Sequence, residues 1–435
     1  MLAAYNLQRQ LMSSVRSRRR FIAGLGVVSI GQFAHGAFAA TESSPQAGPD
    51  AAGRAPQSDY LLAPGLIHLN TASLGATPRA VLDRTLQAWR ELESSPVLMA
   101  YGKTENTVLS AAEQVRVRAA AFLGCDADEV LITRCTTDAM NTLAQGMRWA
   151  AGDRVLTTDQ EHDGGSMCWA YQAQRQGAIV DRVAIAAAEH DSAAIVRRFA
   201  AAITPSTRVI SVSHVLSSTG LRMPIFEISA LARQRGILCV VDGAQAAGAI
   251  AVDVKALGCH AYATSGHKWL MGPKGTGLLY VNREASAAIQ PIQWQDGHHY
   301  GAESAGVGPQ PLAIGLGAAI ERMQKIGMAE VERHGLSLRN RAYAELKQIA
   351  RLRVVGPPPG ALATAIVACV LPDDIDSMTF RDTLLNEHGI IVKMIEKRRF
   401  NGFRLSPHIL NTPADIDAAL KAIRSLTLAA SAANR

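Results

Sequence analysis

The stretch SGHKWLMGPKGTG, residues 265–277, holds two lysines, and one of them is a candidate nucleophile. A lysine in water is protonated, so it attacks a carbonyl only where its surroundings lower its pKa. Lys268 lies three residues after a predicted short strand, Cys259–Ser265, whereas Lys274 lies in the turn-forming sequence GPKGTG. We therefore predict that Lys268 is the reactive amine and that Lys274 points to solvent or supports the loop.

Two other apolar runs are followed by residues that suit a flat, phosphorylated ligand, and ligands bind at the carboxyl ends of strands in open α/β sheets. After residues 130–133, Thr136 and Thr137 either offer backbone N–H groups and hydroxyls to a phosphate or form an ordinary helix N-cap. After residues 154–157, His162 either stacks its ring on a flat ligand or is a surface histidine. Each signal taken alone leaves both alternatives open.

A carboxylate, Asp242, follows the fully apolar run Ile237–Val241. A buried carboxylate needs a positive partner, such as a protonated ring nitrogen, although a helix N-cap is the alternative for this signal alone. Parallel strands would bring Asp242 and Lys268 to the same sheet edge as the threonines and the histidine. A phosphate site, a stacking ring, a carboxylate for a pyridinium and an amine for an aldehyde together describe pyridoxal 5′-phosphate (PLP).

Strand-like and Ala-rich helix-like segments alternate from about Tyr60 onward, which predicts a largely parallel sheet with helices on both faces. A second region begins near Pro311 with one long helix-like stretch to about Ile349, and a helix from about Pro413 closes the chain. We predict that this region is a smaller α+β domain. Its strand candidates are Arg353–Val355, Ala365–Leu371 and Ile390–Lys393, and those of the first region include Val130–Thr133, Arg154–Thr157, Val209–Ser213, Ile237–Val241 and Leu278–Val281.

Residues 1–39 have the pattern of an export signal. They contain five arginines and no Asp, Glu or Lys, so most of the formal net charge of +7 belongs to this leader and no nucleic-acid-binding face is indicated. The sequence SRRRFI from Ser17 resembles the twin-arginine signal, and the polar and glycine residues after it argue against a membrane anchor. We predict that the signal is removed and that the protein is periplasmic or secreted, bacterial and free of the membrane.

The rest of the chain divides by composition. Residues 40–58 are rich in Pro, Gly, Ser and Ala and are predicted to form a linker. Residues 59–310 are the predicted PLP-binding large domain, whose first segment, 59–80, packs on the small domain of residues 311–435. The six cysteines have neither C-x-x-C nor metal-ligand spacing, so we expect buried thiols and no metal.

Two motifs, VVDGAQ at residues 240–245 and TSGHKWLMGPKGTG at residues 264–277, resemble class V aminotransferase-fold PLP enzymes over roughly residues 65–425. HLNTASLG from His68 and GFRLSPHI from Gly402 resemble the isopenicillin N epimerase-like branch. The resemblance implies an α/β protein of the PLP-dependent transferase fold type I. That fold has a large domain with a mostly parallel sheet flanked by helices and a smaller α+β domain.

The resemblance also implies a role for each candidate residue. Lys268 forms a Schiff base with PLP, Asp242 pairs with the pyridine nitrogen and His162 stacks on the ring, so these three are the candidate catalytic residues. Gln245 approaches the ring hydroxyl, and Ser217, a further cofactor-binding candidate, stands where many relatives have Asn. The phosphate is held by Thr136, Thr137, Ser265 and His267, and the substrate α-carboxylate is held by Arg404 with Asn70 nearby.

Enzymes that the chain resembles are usually homodimers with the site at the interface, where a loop of the second subunit offers Gly-Thr to the phosphate. Residues 303–307 correspond to that loop here, but Val307 has no hydroxyl, which puts this contact in question. The adjacent His298 and His299 have no third ligand at metal-site spacing, so we expect a polar rim at the substrate entrance or a dimer contact.

The candidate residues suit several reactions of an amino acid or small peptide, and the sequence does not choose among them. Proton return to the opposite face of Cα gives epimerisation, proton transfer to the cofactor gives transamination, and loss of a β-substituent gives elimination. A cysteine desulfurase needs a nucleophilic thiol on a loop, and Cys369 lies in a strand-like run. We therefore predict an epimerase-like or aminotransferase activity. A cysteine desulfurase or C–S lyase and a non-catalytic exported binding protein are the alternatives.

Overall fold

A seven-stranded sheet is the centre of the fold, and a four-stranded and a two-stranded sheet accompany it. The computed structural model describes residues 57–102, 104–290, 292, 308–395 and 399–433, and these residues lie in one compact unit. The predicted leader, nearly all of the linker and the loops that carry His298, His299 and Val307 lie outside the described residues.

Between residues 130 and 265, strands and helices alternate along the chain. The strands are β1 (Ile67–His68), β2 (Val130–Thr133), β3 (Arg154–Thr158), β4 (Ile179–Val183), β5 (Thr207–Ser213), β6 (Leu238–Asp242), β7 (Ala261–Ser265), β8 (Gly277–Val281), β9 (Arg353–Val355), β10 (Val367–Val370), β11 (Ile390–Ile391), β12 (Lys393–Ile395) and β13 (Gly402–Leu405). The helices are α1 (Arg79–Ser94), α2 (Pro96–Tyr101), α3 (Val108–Leu123), α4 (Thr136–Gly146), α5 (Asp163–Gln176), α6 (Ser192–Ala202), α7 (Ile225–Gln234), α8 (Val254–Leu257), α9 (Gln310–Ile326), α10 (Met328–Leu346), α11 (Ser377–His388) and α12 (Pro413–Ala433).

The large sheet has the strand order β2-β8-β7-β6-β5-β3-β4, in which β8 runs antiparallel to both of its neighbours and the other pairings are parallel. The register places Thr133 and Ser265 on either side of Gly277, so β2 ends at the same edge as the parallel strands. The predicted α/β fold with a mostly parallel sheet flanked by helices is confirmed. This shared edge is where an open α/β sheet binds its ligand.

Alternate residues of the central strands pack into separate cores on the two faces of the sheet. Val241 joins one buried cluster with Phe199, whereas Val240 joins another with Trp169. Successive residues of a strand point to opposite faces, so a strand covered on both faces has a continuous apolar sequence. The sequence predicts these central strands for this reason. It does not predict the edge strand β4, whose sequence IVDRV is interrupted by charge.

The four-stranded sheet is antiparallel, with the order β12-β13-β10-β9, and its own core includes Leu338 and Phe403. The expected single helical stretch up to Ile349 is wrong, because Gly327, with a φ of 86°, ends α9 before α10 begins. Leu316 of α9 packs in the core of the large sheet. The predicted domain boundary at residues 310/311 therefore precedes a helix that shares that core.

The segment that leads into α1 contacts both cores. Tyr60 is buried among the residues of the large core, whereas Ile67 of β1 pairs in parallel with Ile390 of β11. Asn70 then forms an isolated bridge with Ser406 beyond β13. This pairing is the contact between residues 59–80 and the C-terminal part of the chain. Among the helices of the described residues, none is long and apolar enough to cross a membrane.

Candidate active site

Lys268 lies three residues beyond the end of β7, at the edge where the parallel strands end. Burial lowers the pKa of its amine, the negative charge of Asp242 opposes this shift, and the positive charge of Arg404 adds to it. A lowered pKa leaves more of the amine unprotonated, which suits a nucleophile or a proton carrier. Lys274 instead donates to the Gly75 carbonyl at 2.8 Å, and so supports the loop.

Asp242 ends β6 and is buried, and one of its carboxylate oxygens accepts a hydrogen bond from the Ala244 N–H at 2.9 Å. The other oxygen lies against the first turn of α5, where a Cβ added to Gly165 would stand 2.2 Å from it. The N-terminal end of a helix is a favourable place for a negative charge, and the Asp242 carboxylate lies at that end of α5. Within the described part of the chain the carboxylate forms no salt bridge, and it is available to a cationic ligand atom.

His162 is the N-cap of α5, because its Nδ1 accepts a hydrogen bond from the Gly164 N–H at 3.0 Å. That bond requires an unprotonated Nδ1 and fixes the ring at the start of the helix. Burial lowers the pKa of His162, and the charge of Lys268 lowers it further while Asp242 raises it. The ring is therefore neutral at physiological pH and lies within electrostatic range of both residues.

The predicted phosphate residues meet where β2 and β7 end. The Thr136 N–H donates to the Ser265 hydroxyl at 3.0 Å, and the two hydroxyl oxygens are 2.8 Å apart. The N-cap of α4 is Cys135, whose Sγ accepts from the Asp138 N–H, so the alternative of a threonine N-cap is wrong. Thr136 and Thr137 occupy the first turn of α4, and the N-terminal end of a helix suits an anion.

His267 precedes Lys268 and contributes a polar atom that has no partner within the described residues. Its Nδ1 is buried without a hydrogen bond. Burial lowers the pKa of His267, and the charges of Lys268 and Lys274 lower it further. A buried ring nitrogen of this kind needs a hydrogen-bond partner from a ligand or from water.

Arg404 on β13 is a buried guanidinium without a carboxylate partner in the described chain. It donates to the Ser217 carbonyl at 2.6 Å, to Asn70 Oδ1 at 3.2 Å and to the Ser73 hydroxyl at 3.1 Å, all of which are neutral. Its Nε has no hydrogen-bond partner among the described residues, and burial lowers the pKa of Arg404 to about 10. An uncompensated buried cation favours an anion such as a substrate carboxylate.

Two predictions about individual residues gain detail from these contacts, and one further residue joins the site. Ser217 lies at the site, but it contacts Arg404 through its main-chain carbonyl. Gln245 donates to the Ala72 carbonyl at 3.0 Å and accepts from Trp269 Nε1 at 2.7 Å, so both of its polar ends are engaged by the protein. Ser73 is a site residue that sequence reasoning missed, although it belongs to the quoted motif HLNTASLG.

The cysteines are all free thiols, and Cys369 lies in β10 within the core of the four-stranded sheet. Burial raises the pKa of Cys369 to about 12, so it does not ionise at neutral pH. A thiol needs to be ionised and accessible to act as a nucleophile. Cys369 is therefore placed as a structural core residue and not as a nucleophile.

Comparison with known proteins agrees with the geometry. The chain is 29% identical to isopenicillin N epimerase from Amycolatopsis lactamdurans, over 84% of this chain and 96% of the epimerase. It is 32% identical to a cysteine desulfurase from Yersinia pestis, over 67% of this chain and 75% of that enzyme. The solved cysteine desulfurase from Thermococcus onnurineus superposes with a TM-score of 0.76 at 24% identity, over 86% of this chain and 97% of that chain, which shows the shared fold. The sequence profile of the aminotransferase class-V family matches residues 67–418, and the chain belongs to that family.

Proposed function

We propose that this chain binds PLP at Lys268 and catalyses epimerase-like proton transfer at the Cα of an amino acid or small peptide. The strongest support for this proposal is the grouping of three charged side chains. At a single sheet edge, an amine with a lowered pKa, Lys268, lies within electrostatic range of the buried Asp242 and the buried Arg404. The first is a nucleophile and proton carrier. Among the residues that the structure describes, the second is an acid without an ion pair and the third is a cation without an anion.

The residues present fit PLP on the basis of their unsatisfied groups. Asp242 is placed to receive a protonated ring nitrogen, and Lys268 would hold the aldehyde carbon. The Thr136 and Ser265 hydroxyls would hold the phosphate together with the Nδ1 of His267, which has no partner in the described part of the chain. When bound, PLP supplies an electron sink for the negative charge that develops at the substrate Cα.

Side chains of this protein bind the substrate, move the Cα proton and exclude water. Arg404 binds the substrate carboxylate as a fork and thereby fixes the orientation of Cα. Lys268 takes the Cα proton, because its lowered pKa leaves more of the amine unprotonated, and addition of a solvent proton to the opposite face of Cα gives the epimer. Asp242 would keep a proton at the ring nitrogen of the cofactor through its charge, and His162 would cover a face of that ring and exclude water.

A second candidate, cysteine desulfurase activity, is favoured by the Yersinia pestis relative. The buried position of Cys369 in β10 and its raised pKa argue against it. The isopenicillin N epimerase relative, which this chain covers over 96% of its length, favours proton transfer at Cα as the outcome.

Incubation of the PLP-reconstituted protein with a panel of L-amino acids and small peptides in deuterated water tests this proposal. We expect deuterium at Cα together with formation of the D-epimer, and loss of both in Lys268→Ala. The control is Lys325→Ala, which removes a surface lysine paired with Glu321 on α9. Keto-acid formation would indicate transamination instead, released sulfur would indicate the desulfurase, and a protein that binds PLP without any turnover would favour a binding protein.

We also propose that the chain is a homodimer. Two successive helices, α1 and α2, expose apolar side chains, and exposed apolar patches are typical of protein interfaces. These side chains are Leu86, Trp89, Val97, Leu98 and Tyr101. Light scattering after gel filtration should give a dimer for the wild type and a monomer for the double variant Val97→Asp/Leu98→Asp. A monomeric wild type at micromolar concentration would contradict the proposal.

Export through the twin-arginine route is the third part of the proposal and is supported by the leader sequence alone. Expression of the full chain in a bacterium with that route should place the shortened protein in the periplasm. Replacing Arg18 and Arg19 by lysine should keep the full-length protein in the cytoplasm. Export of that variant at the wild-type level would argue against the twin-arginine assignment.

A further inference from the structure

Glu161 is a buried acid beside the site that the roles above leave without a function. It is 8% exposed and lies in the loop between β3 and α5. One carboxylate oxygen accepts from the Thr158 hydroxyl at 2.7 Å, and the other accepts from the Ser213 N–H at 3.0 Å and from the Ser213 hydroxyl. The carboxylate therefore joins the ends of β3 and β5.

The contacts of Glu161 lead directly to two residues of the site. Its neighbour along the chain, His162, caps α5, and Ser213 is the register partner of Asp242 in the sheet. The Glu161 carboxylate therefore sets the spacing between the loop that carries the His162 ring and the strand that carries Asp242. Arg399 adds a restraint from outside the large sheet, because it donates to the main-chain carbonyls of Gln160 and Glu161.

A purely structural link would not need an ionisable group here. A buried carboxylate is expensive unless a cation balances it, and Glu161 has no salt bridge within the described residues. The charged group that faces it across the strands is Asp242, which has the same sign, while Arg399 contacts only its main chain. The other groups that face it are the Thr158 and Ser213 hydroxyls, which can rotate to serve either a carboxylate or a carboxylic acid.

We propose that Glu161 is a positioning residue that holds His162 and Asp242 in their places around the PLP ring. Its carboxylate also adds a second negative charge behind Asp242, and this charge strengthens binding of the cofactor's protonated ring. This inference rests on the proposed binding of PLP. Its consequence is pH-dependent cofactor affinity. Burial and the charge of Asp242 raise the pKa of Glu161 to about 7, against the opposing hydrogen bonds of Ser213 and Thr158. The second charge is therefore present above neutral pH and absent below it.

The substitution Glu161→Gln separates charge from geometry. A glutamine of the same shape can accept from Ser213 and donate to the Thr158 hydroxyl, so the links between the strands are kept while the charge is lost. Glu161→Ala removes both the links and the charge. Glu189→Gln is the matched control, because Glu189 is also 8% exposed and hydrogen-bonded to Arg198, but it lies outside the site.

The experiment is a titration of each apoprotein with PLP, followed by absorbance between pH 6 and pH 8.5, with thermal unfolding of each apoprotein as the test of folding. We expect the Gln variant to bind PLP within about twofold of the wild type at pH 6 and about tenfold more weakly at pH 8. The Ala variant should bind more weakly at both pH values, and the Glu189→Gln control should follow the wild type throughout.

Two results would overturn the inference about Glu161, and only the second of them would also overturn the proposed function. A Gln variant whose affinity follows the wild type across the pH range would remove the role of Glu161 and leave the proposed function standing. A wild-type protein without affinity for PLP would overturn the proposed function and this inference together.

Discussion

The two parts of the site are built in different ways. The large sheet supplies Lys268, Asp242 and His162, each placed by the end of its own strand or by the first turn of the following helix. The four-stranded sheet supplies a single cation, Arg404, which is held by residues from distant parts of the chain. The first part is suited to a cofactor that stays in place, and the second is suited to a substrate that enters and leaves.

The largest effect should come from the cofactor part of the site. Lys268→Ala removes the only proposed carrier of the Cα proton, and we expect activity to fall at least about 10³-fold. Turnover and the visible absorption of the reconstituted protein measure this change. The variant should retain the thermal unfolding midpoint of the wild-type apoprotein, and a variant that keeps near-normal turnover would contradict the account.

An alanine substitution in the part of the site that binds substrate should affect substrate binding and leave cofactor binding nearly unchanged. Arg404→Ala should raise KM about 10- to 100-fold, because a charge-assisted hydrogen bond to the substrate carboxylate is lost, while the Kd for PLP changes little. Steady-state kinetics and cofactor titration make the two measurements. Arg341→Ala, which removes a surface arginine paired with Asp417, is the control. An equal loss of PLP affinity in Arg404→Ala would show that the two parts are not separate.

A smaller effect is expected at the proposed phosphate site. Ser265→Ala removes the hydroxyl that lies 2.8 Å from Thr136 Oγ1, and we expect about tenfold weaker PLP binding with an unchanged KM for saturated enzyme. Titration of the apoprotein with PLP measures this loss. If KM rises and PLP affinity stays the same, the phosphate assignment is wrong.

The pH dependence of stability gives a further prediction for the cofactor part. Burial raises the pKa of Glu161 from 4.5 to about 7, so folding takes up a proton between these values. The stability due to this group therefore falls as pH rises from about 4.5 to 7 and is constant above that. Glu161→Gln should remove up to about 3 kcal/mol of this pH dependence, as measured by urea unfolding at pH 5 and pH 8. A pH dependence identical to that of the wild type would argue against ionisation of Glu161 in this range.

The smallest effect on activity is expected at the cysteine in β10. Cys369→Ala should leave turnover within about twofold of the wild type, because a buried neutral thiol does not act as a nucleophile. It should lower the unfolding free energy by about 1 kcal/mol through lost packing. Activity measured at equal concentrations of folded protein checks this prediction. Complete loss of activity in a folded variant would revive the desulfurase alternative.

The comparison between the two parts also explains what the sequence could predict. The central strands have continuous apolar sequences, and the polar residues at their ends follow within a few positions, so Asp242 and Lys268 could be assigned from local sequence. The helix start at Cys135 and the edge strand β4 lack such a clear signal. The break at Gly327 was missed because apolar helical periodicity continues on both sides of it.

Long-range pairing accounts for the rest of what the sequence could not predict. Arg404 meets Asn70 and Ser73 only because β1 pairs with β11 and residue 70 bridges to residue 406. Family resemblance pointed to Arg404 and Asn70, but no local pattern marks Ser73 as their partner. The Glu161 link to Ser213 likewise depends on the neighbouring positions of β3 and β5 in the sheet.

The central claim is that PLP is held at Lys268. The most direct test is to add PLP to the purified protein, reduce it with borohydride, digest it and measure the masses of the lysine-containing peptides. We predict that the mass of a reduced cofactor adduct appears on the peptide that carries Lys268 and that Lys268→Ala shows no such adduct. An adduct on Lys274 or on surface lysines alone, or no adduct in the wild type, would contradict the account.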